Sequence, residues 1–165
     1  MNKAQIKKER IIQAVTQHLI AHGLADVGLR TLAVVAGTSD RMLIYYFETK
    51  DALLGQALEA IAGDLAGQLD LVLGEHRRHE GQLLAELLAL GNSPQFEAIL
   101  RLWFEIVGFA VRGQEPYAAT AIVIANNWIE WIEGRLETPQ RERARAVFAE
   151  LEGNLMLKLI GVAIS

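Results

Sequence analysis

The sequence predicts an all-α protein, an N-terminal three-helix helix-turn-helix head on a C-terminal helical bundle body, and three observations carry that prediction. Apolar residues recur at three- to four-residue spacing through almost the whole chain, the signature of amphipathic helices. Two short apolar segments, 29–36 and 40–46, flank the tight sequence Gly37-Thr38-Ser39. Residues 117–136 step in an alternating four-three rhythm, and with the last helical segment they form a pair of packed seams. With 165 residues the chain holds a small head, 1–48, and a larger body, 49–165.

Composition supports a folded chain and narrows its chemistry. Hydrophobic residues make up 52% and mean hydropathy is +0.20, enough to fill a core. Cysteine is absent, which excludes disulfides, thiol nucleophiles and thiolate metal sites and fits a reducing compartment. The N-terminal Met1 to Arg10 is polar and basic, unlike a signal peptide, and Leu155 to Ile164 is too short and too charged at Lys158 to span a membrane. These features predict a cytoplasmic protein.

The elements follow in order. Ile11, Val15 and Leu19 mark a first helix over 4–22, ended by Gly23. Residues 24–28 form its exit loop. After the two short helices, Thr49 is placed to cap a long amphipathic helix through Leu53, Leu54, Leu58, Ile61, Leu65, Leu69 and Leu73, which links head to body. Gly74 to Gly81 reads as a charged, solvated bend. Leu83, Leu84, Leu87 and Leu88 form a short helix stopped by Gly91-Asn92-Ser93-Pro94, where Ser93 is expected to cap the next helix and Pro94 to open it. That helix, to about Arg112, leaves one polar stripe of Glu97, Arg101, Glu105 and Arg112. Residues 117–136 carry Ile122, Ile129 and Ile132 in the four-three rhythm, and Thr138-Pro139 opens a last helix with Leu151, Leu155 and Leu159. This pair either completes the core of one chain or meets its copy in a four-helix bundle. The scarcity of charge in 118–132 and 151–164 favours a homodimer.

Charge is divided unevenly. Residues 1–50 hold seven Lys or Arg against four Asp or Glu, a net +3, whereas the remaining 115 hold nine against sixteen, a net −7. A basic head on an acidic body permits nucleic-acid binding by the head alone.

The segment 29–50 has the chemistry for it. Leu32, Ala33, Ala36, Leu43 and Phe47 are spaced to pack the two short helices together, leaving Thr38, Ser39, Asp40, Arg41, Met42, Ile44, Tyr45 and Tyr46 facing outward. A helix of this kind fits the major groove, where Arg chelates guanine, apolar tips touch thymine methyls and Tyr hydroxyls bond phosphates or base edges. Lys50 adds a cation at a helix N-terminus. Asp40 either accepts from a cytosine amino group or caps its own helix, and the cap is favoured.

These residues carry a family resemblance. Arg10-Ile11-Ile12-Gln13-Ala14, Gly23, Leu32-Ala33, Ala36-Gly37-Thr38-Ser39 and Leu43 through Leu54 resemble, in order and spacing, the N-terminal domain of the TetR family of one-component transcriptional regulators, over about residues 8–58. Where that family usually has Gly-Thr-Leu-Tyr-Tyr-His-Phe, this chain has Arg41-Met42-Leu43-Ile44-Tyr45-Tyr46-Phe47, departing at four of seven positions. The packing frame is kept and the presented surface is altered, so no familial operator carries over. The resemblance implies that Tyr46 and Lys50 clamp phosphates, that Arg30 contacts backbone or base, and that Arg41, Met42 and Tyr45 read sequence, with Thr38 and Ser39 beside them. It implies a double-stranded DNA operator, dimerisation through the last two helices, a small-molecule effector held in the body, and most often a repressor.

Within the body, Trp103, Phe104, Phe109, Tyr117, Asn126 and Trp128 are either the lining of that effector pocket or ordinary core aromatics. Asn126 either bonds a ligand or fixes helix register. No catalytic residue, metal site or cofactor is predicted. His76 and His79 are three apart but beside two arginines, which oppose a cation; the serines lack a triad order, and no glycine-rich phosphate loop occurs. The expected function is therefore a DNA-binding regulator and not an enzyme. The rival is an all-α dimeric ligand- or protein-binding module without an operator.

Overall fold

A computed structural model describes residues 2–25 and 27–162, with Gln95 by its backbone alone, and within them eight α-helices and one 3₁₀ segment. Asp26, counted above in the exit loop and the head's charge, and residues 163–165 lie outside the described residues. The head contains α1 (Lys3–His22), α2 (Leu29–Val35) and α3 (Asp40–Phe47). The body contains α4 (Lys50–Leu73), α5 (Glu80–Gly91), α6 (Pro94–Ala110), α7 (Tyr117–Arg135) and α8 (Ala144–Leu159), with the 3₁₀ segment Thr138–Arg143 leading into α8.

Local chemistry sets the ends. Asn2 Oδ1 accepts from the backbone N–H groups of Ala4 and Gln5 at 2.8 and 3.0 Å, capping α1, and Gly23 ends it at φ +69°. Thr49 Oγ1 accepts from Ala52 N at 3.0 Å and caps α4 as its sequence position predicts. Two caps differ from expectation. Ser39, not Asp40, caps α3, accepting from Met42 N at 3.3 Å, while Asp40 lies in the first turn where its charge favours the helix dipole. Ser93 occupies the N-cap position of α6, but its hydroxyl makes no cap bond. Thr138-Pro139 opens the 3₁₀ segment rather than α8 itself.

Two apolar cores meet along α4. The upper one joins Ile11, Val15, Leu19, Leu32, Leu43 and Phe47 of the head to Leu54 and Leu58 of α4, and continues into Leu102 and Ile106 of α6 and Ile124 of α7. The lower one gathers Leu69, Leu83, Phe96, Ile132, Leu151 and Leu155. The 48/49 division thus falls in a surface turn, while the packing beneath crosses it. Gly55 permits a close crossing of α4 and α7, since a Cβ there would stand 3.3 Å from Thr120 Oγ1.

The bend 74–79 is held more firmly than its charge suggests. Arg78 is buried, 5% exposed. Its guanidinium donates to the carbonyls of His76, at 2.6 Å, and Leu73, and pairs with Glu86 at 2.6 Å. Its backbone joins α7's end, Arg78 N donating to Arg135 O at 2.8 Å and Glu137 N to Arg78 O at 3.0 Å. Asp70 on α4 accepts from Trp131 Nε1 at 2.9 Å and from Arg135, fastening the same corner.

Candidate functional site

The helix-turn-helix is built by its small and apolar residues. Gly37 takes φ +59°, a conformation that strains residues bearing a Cβ, and lets Thr38 N reach back to Ala33 O at 2.9 Å. Ala33 and Leu32 are buried against Leu43 and Phe47, fixing α3 on α2. Glu48 adopts φ +68°, a turn more often given to glycine, and directs the chain into the Thr49 cap so that Lys50 begins α4 beside the end of α3.

This frame leaves one face of α3 outward. Arg41 and Tyr45 are exposed, Tyr45 at 74%, and Ile44 is exposed beside them. Tyr46 is half-buried against the head core and meets Tyr45 edge-on with centroids 5.2 Å apart, so the two rings brace each other. Met42, Thr38 and Lys50 are half-buried, while Arg30 and Ser39 are exposed. Of these, Ser39 already uses its hydroxyl as a cap acceptor. Lys8 lies 5.1 Å from the Phe47 ring centroid, adding a cation at the base of α3 that sequence reasoning did not single out.

The body holds a partly open cavity of about 100 Å³ between α4, α5, α6, α7 and α8, with almost wholly apolar walls that include Leu65, Phe96, Trp103, Trp128 and Phe148. Of the six body residues picked from the sequence, Trp103 and Trp128 line it. The other four are elsewhere. Phe109 stacks on Tyr117 with centroids 5.0 Å apart against the upper core, Phe104 packs on the lower core, and Asn126 is exposed on α7. Burial pushes the Tyr117 phenol above its usual range, with Asp51 and Glu105 adding to the effect. Sequence reasoning missed Glu152, which lines the cavity from α8 and accepts from Trp103 Nε1 at 2.5 Å. Burial raises its carboxyl to about 7, and the Trp103 bond opposes that rise.

The four-three seam divides in the same way. Ile132, Leu151 and Leu155 are buried within the chain, and Ile129 and Leu159 are half-buried against the same core. The outward apolar residues of the last two helices are Ile122, at 64% exposure, with Val123, Met156, Leu157 and, just beyond α8, Ile160. Among the described residues, no group of three or more His, Asp or Glu is placed to hold a metal, and no helix is long and apolar enough to cross a membrane.

Comparison with known proteins agrees with this geometry. Residues 11–57 match the family described as bacterial regulatory proteins, tetR family. A 60-residue segment is 35% identical to the HTH-type transcriptional regulator BetI of Stenotrophomonas maltophilia (strain R551-3), covering 36% of this chain and 31% of that relative. The fold is similar to the crystal structure of SCO7518 from Streptomyces coelicolor A3(2), with a TM-score of 0.75 at 22% identity over 94% of this chain and 88% of that one. It is also similar to a Rhodococcus sp. protein described as a TetR-family transcriptional regulator, with a TM-score of 0.73 at 21% identity over 96% and 89%. Salmonella enterica GusR gives 0.64 at 18% identity over 94% and 84%. Residues 11–57 are thus similar to the N-terminal domain of the tetR family of bacterial regulatory proteins, in a chain whose fold is shared along nearly its whole length with those structures and which spans about a third of the length of the curated relative it matches.

Proposed function

We propose that the protein is a homodimeric, cytoplasmic transcriptional regulator, a repressor by type, that binds a double-stranded DNA operator through residues 1–48 and is controlled by a small molecule held in residues 49–165. The observation that carries the reading is the outward face of α3, where Arg41 and Tyr45 project from a helix pinned by buried Leu43 and Phe47. Arg41, Met42 and Tyr45 would meet base edges, while Lys50, Tyr46 and Arg30 would grip phosphates, the division of labour by which contacts to the backbone position a protein and contacts to bases specify its site.

The dimer is supported by the exposed apolar residues Ile122, Val123, Met156, Leu157 and Ile160, which two copies would bury against each other. Two heads would then meet successive major-groove faces of a pseudo-palindrome about 34–36 Å apart. The cavity at Trp103 and Trp128 supports the effector, being concave, apolar and supplied with a single carboxylate. The test is a mobility shift over a genomic fragment library across a salt series, followed by footprinting. A preferred fragment with a two-half-site footprint is expected. Salt-insensitive or absent retention of every fragment would overturn the regulator in favour of a dimeric ligand- or protein-binding module.

A further inference from the structure

We infer that the body cavity selects a small organic cation, an ammonium or amidinium group bearing an apolar portion, with the Glu152 carboxylate as its counter-ion and the aromatic walls as its seat. The inference rests on the proposed effector role of this cavity and specifies its ligand class.

The argument starts from the lining. Among the described residues, Glu152 is the only ionisable side chain that lines the cavity, and α4, α5, α6 and α7 contribute none. Glu152 therefore has no cation to pair with. The next positive group along α8, Lys158, donates instead to Gly91 O at 3.0 Å. One carboxylate oxygen, Oε2, accepts from Trp103 Nε1 at 2.5 Å, and no described residue donates to Oε1.

A carboxylate without a counter-ion in apolar surroundings is costly, and a glutamine or an apolar residue would fill the same place without that cost. What a carboxylate adds is the capacity to bind positive charge. A cation entering here regains in ion pairing what it loses in hydration, whereas an anion would be repelled and a neutral molecule would gain nothing from the charge. Trp103, Trp128, Phe96 and Phe148 line the same space, and aromatic faces attract cations further. The Trp103 bond fixes the direction in which the carboxylate can receive the ligand. Raised to about 7, the Glu152 carboxyl must ionise fully on binding, so affinity for a cation should increase with pH across neutrality.

The full-length protein is titrated by calorimetry with benzylammonium, isosteric neutral benzyl alcohol and benzoate. At pH 8 benzylammonium is expected to bind at least about tenfold more tightly than either. Its affinity should fall about tenfold between pH 8 and pH 6 while that of benzyl alcohol stays constant. Glu152→Gln should remove the preference for the cation and leave benzyl alcohol binding intact. Equal or tighter binding of benzyl alcohol or benzoate at pH 8, a preference that survives Glu152→Gln, or no binding of any probe would overturn the inference. If that variant fails to fold, the pH series on the parent protein decides alone. A mobility shift on the retained fragment separates the two proposals. Cation binding without change in DNA retention sinks effector control and leaves the ligand class standing, whereas release by a neutral molecule from a cavity that ignores cations does the reverse.

Discussion

The carboxylate of Glu105 on α6 accepts the backbone N–H of Leu24 at 3.0 Å, so the body is hydrogen-bonded directly to the loop that leaves the head's first helix. Gly23 makes the contact possible, because a Cβ there would stand 2.6 Å from Glu105 Oε2 and its φ of +69° suits glycine. Glu105→Ala, which orphans the Leu24 N–H, is expected to cost about 1–3 kcal/mol in urea unfolding, while Glu105→Gln, which keeps an acceptor, costs less. Gly23→Ala should cost about 1–3 kcal/mol through its backbone alone, since φ +69° with ψ −154° is a conformation open essentially to glycine. A Glu105→Ala protein as stable as its parent would show that the tie contributes nothing.

On DNA, Lys50→Ala is expected to weaken binding to every duplex by a similar factor and to lower the salt slope by about one unit. Arg41→Ala should cost on the order of 1–3 kcal/mol at the preferred fragment and relax its sequence choice. Competition binding on preferred and scrambled duplexes separates the two. Equal loss of discrimination in both variants contradicts these roles.

Arg78→Met should destabilise the chain by about 3 kcal/mol, because it leaves Glu86 without its cation and the Leu73 and His76 carbonyls without their donor. Its exposed neighbour Arg77 donates only to Thr138 Oγ1, at 3.3 Å, and Arg77→Met should stay within about 0.5 kcal/mol of the parent. Denaturant midpoints for the pair measure the contrast.

Stability should also depend on pH through Glu152. Its folded carboxyl is raised from 4.5 to about 7, so between those values the folded chain holds a proton that the unfolded chain has released. The relative stability of the neutral form is therefore complete below about 4.5 and is lost as pH rises through about 7. Glu152→Gln cannot ionise and should gain on its parent by roughly 2 kcal/mol between pH 5 and pH 8. An offset between the two proteins that is flat over this range would refute the assignment.

For the proposed dimer, Ile122→Asp combined with Ile160→Asp is expected to give a folded monomer by light scattering with undiminished helicity. Ile132→Ala, at a fully buried position, should instead cost about 2–5 kcal/mol of stability. A double variant that stays dimeric would move the interface elsewhere.

The head was legible in one dimension because local rules decide it. Gly37 marks the turn, Thr49 the cap, and Leu32, Ala33, Leu43 and Phe47 the packing, each within about fifteen residues of its partner. The body was less so, because its decisive contacts span long separations. Arg77 and Arg78 are indistinguishable in the string Glu75-His76-Arg77-Arg78-His79-Glu80, and only the convergence of three carbonyl and carboxylate acceptors buries one of them. Glu152 stands in an ordinary amphipathic stretch, and it becomes a cavity residue because Trp103, 49 positions earlier, faces it. The four-three rhythm located a seam at Ile132, Leu151 and Leu155, but a rhythm does not name its partner. The structure spends those residues inside one chain and leaves Ile122 and Ile160 outside.

The helix α4 begins at Lys50 and is fastened near its far end at Asp70 to Trp131 and Arg135. Its 24 residues make a rod about 36 Å long. Pivoting such a rod by about 5° at the fastened end swings the other by about 3 Å, close to the 3.4 Å rung spacing of a DNA strand. On the proposed operator, a tilt of a few degrees thus suffices to slide a head by one rung of the ladder.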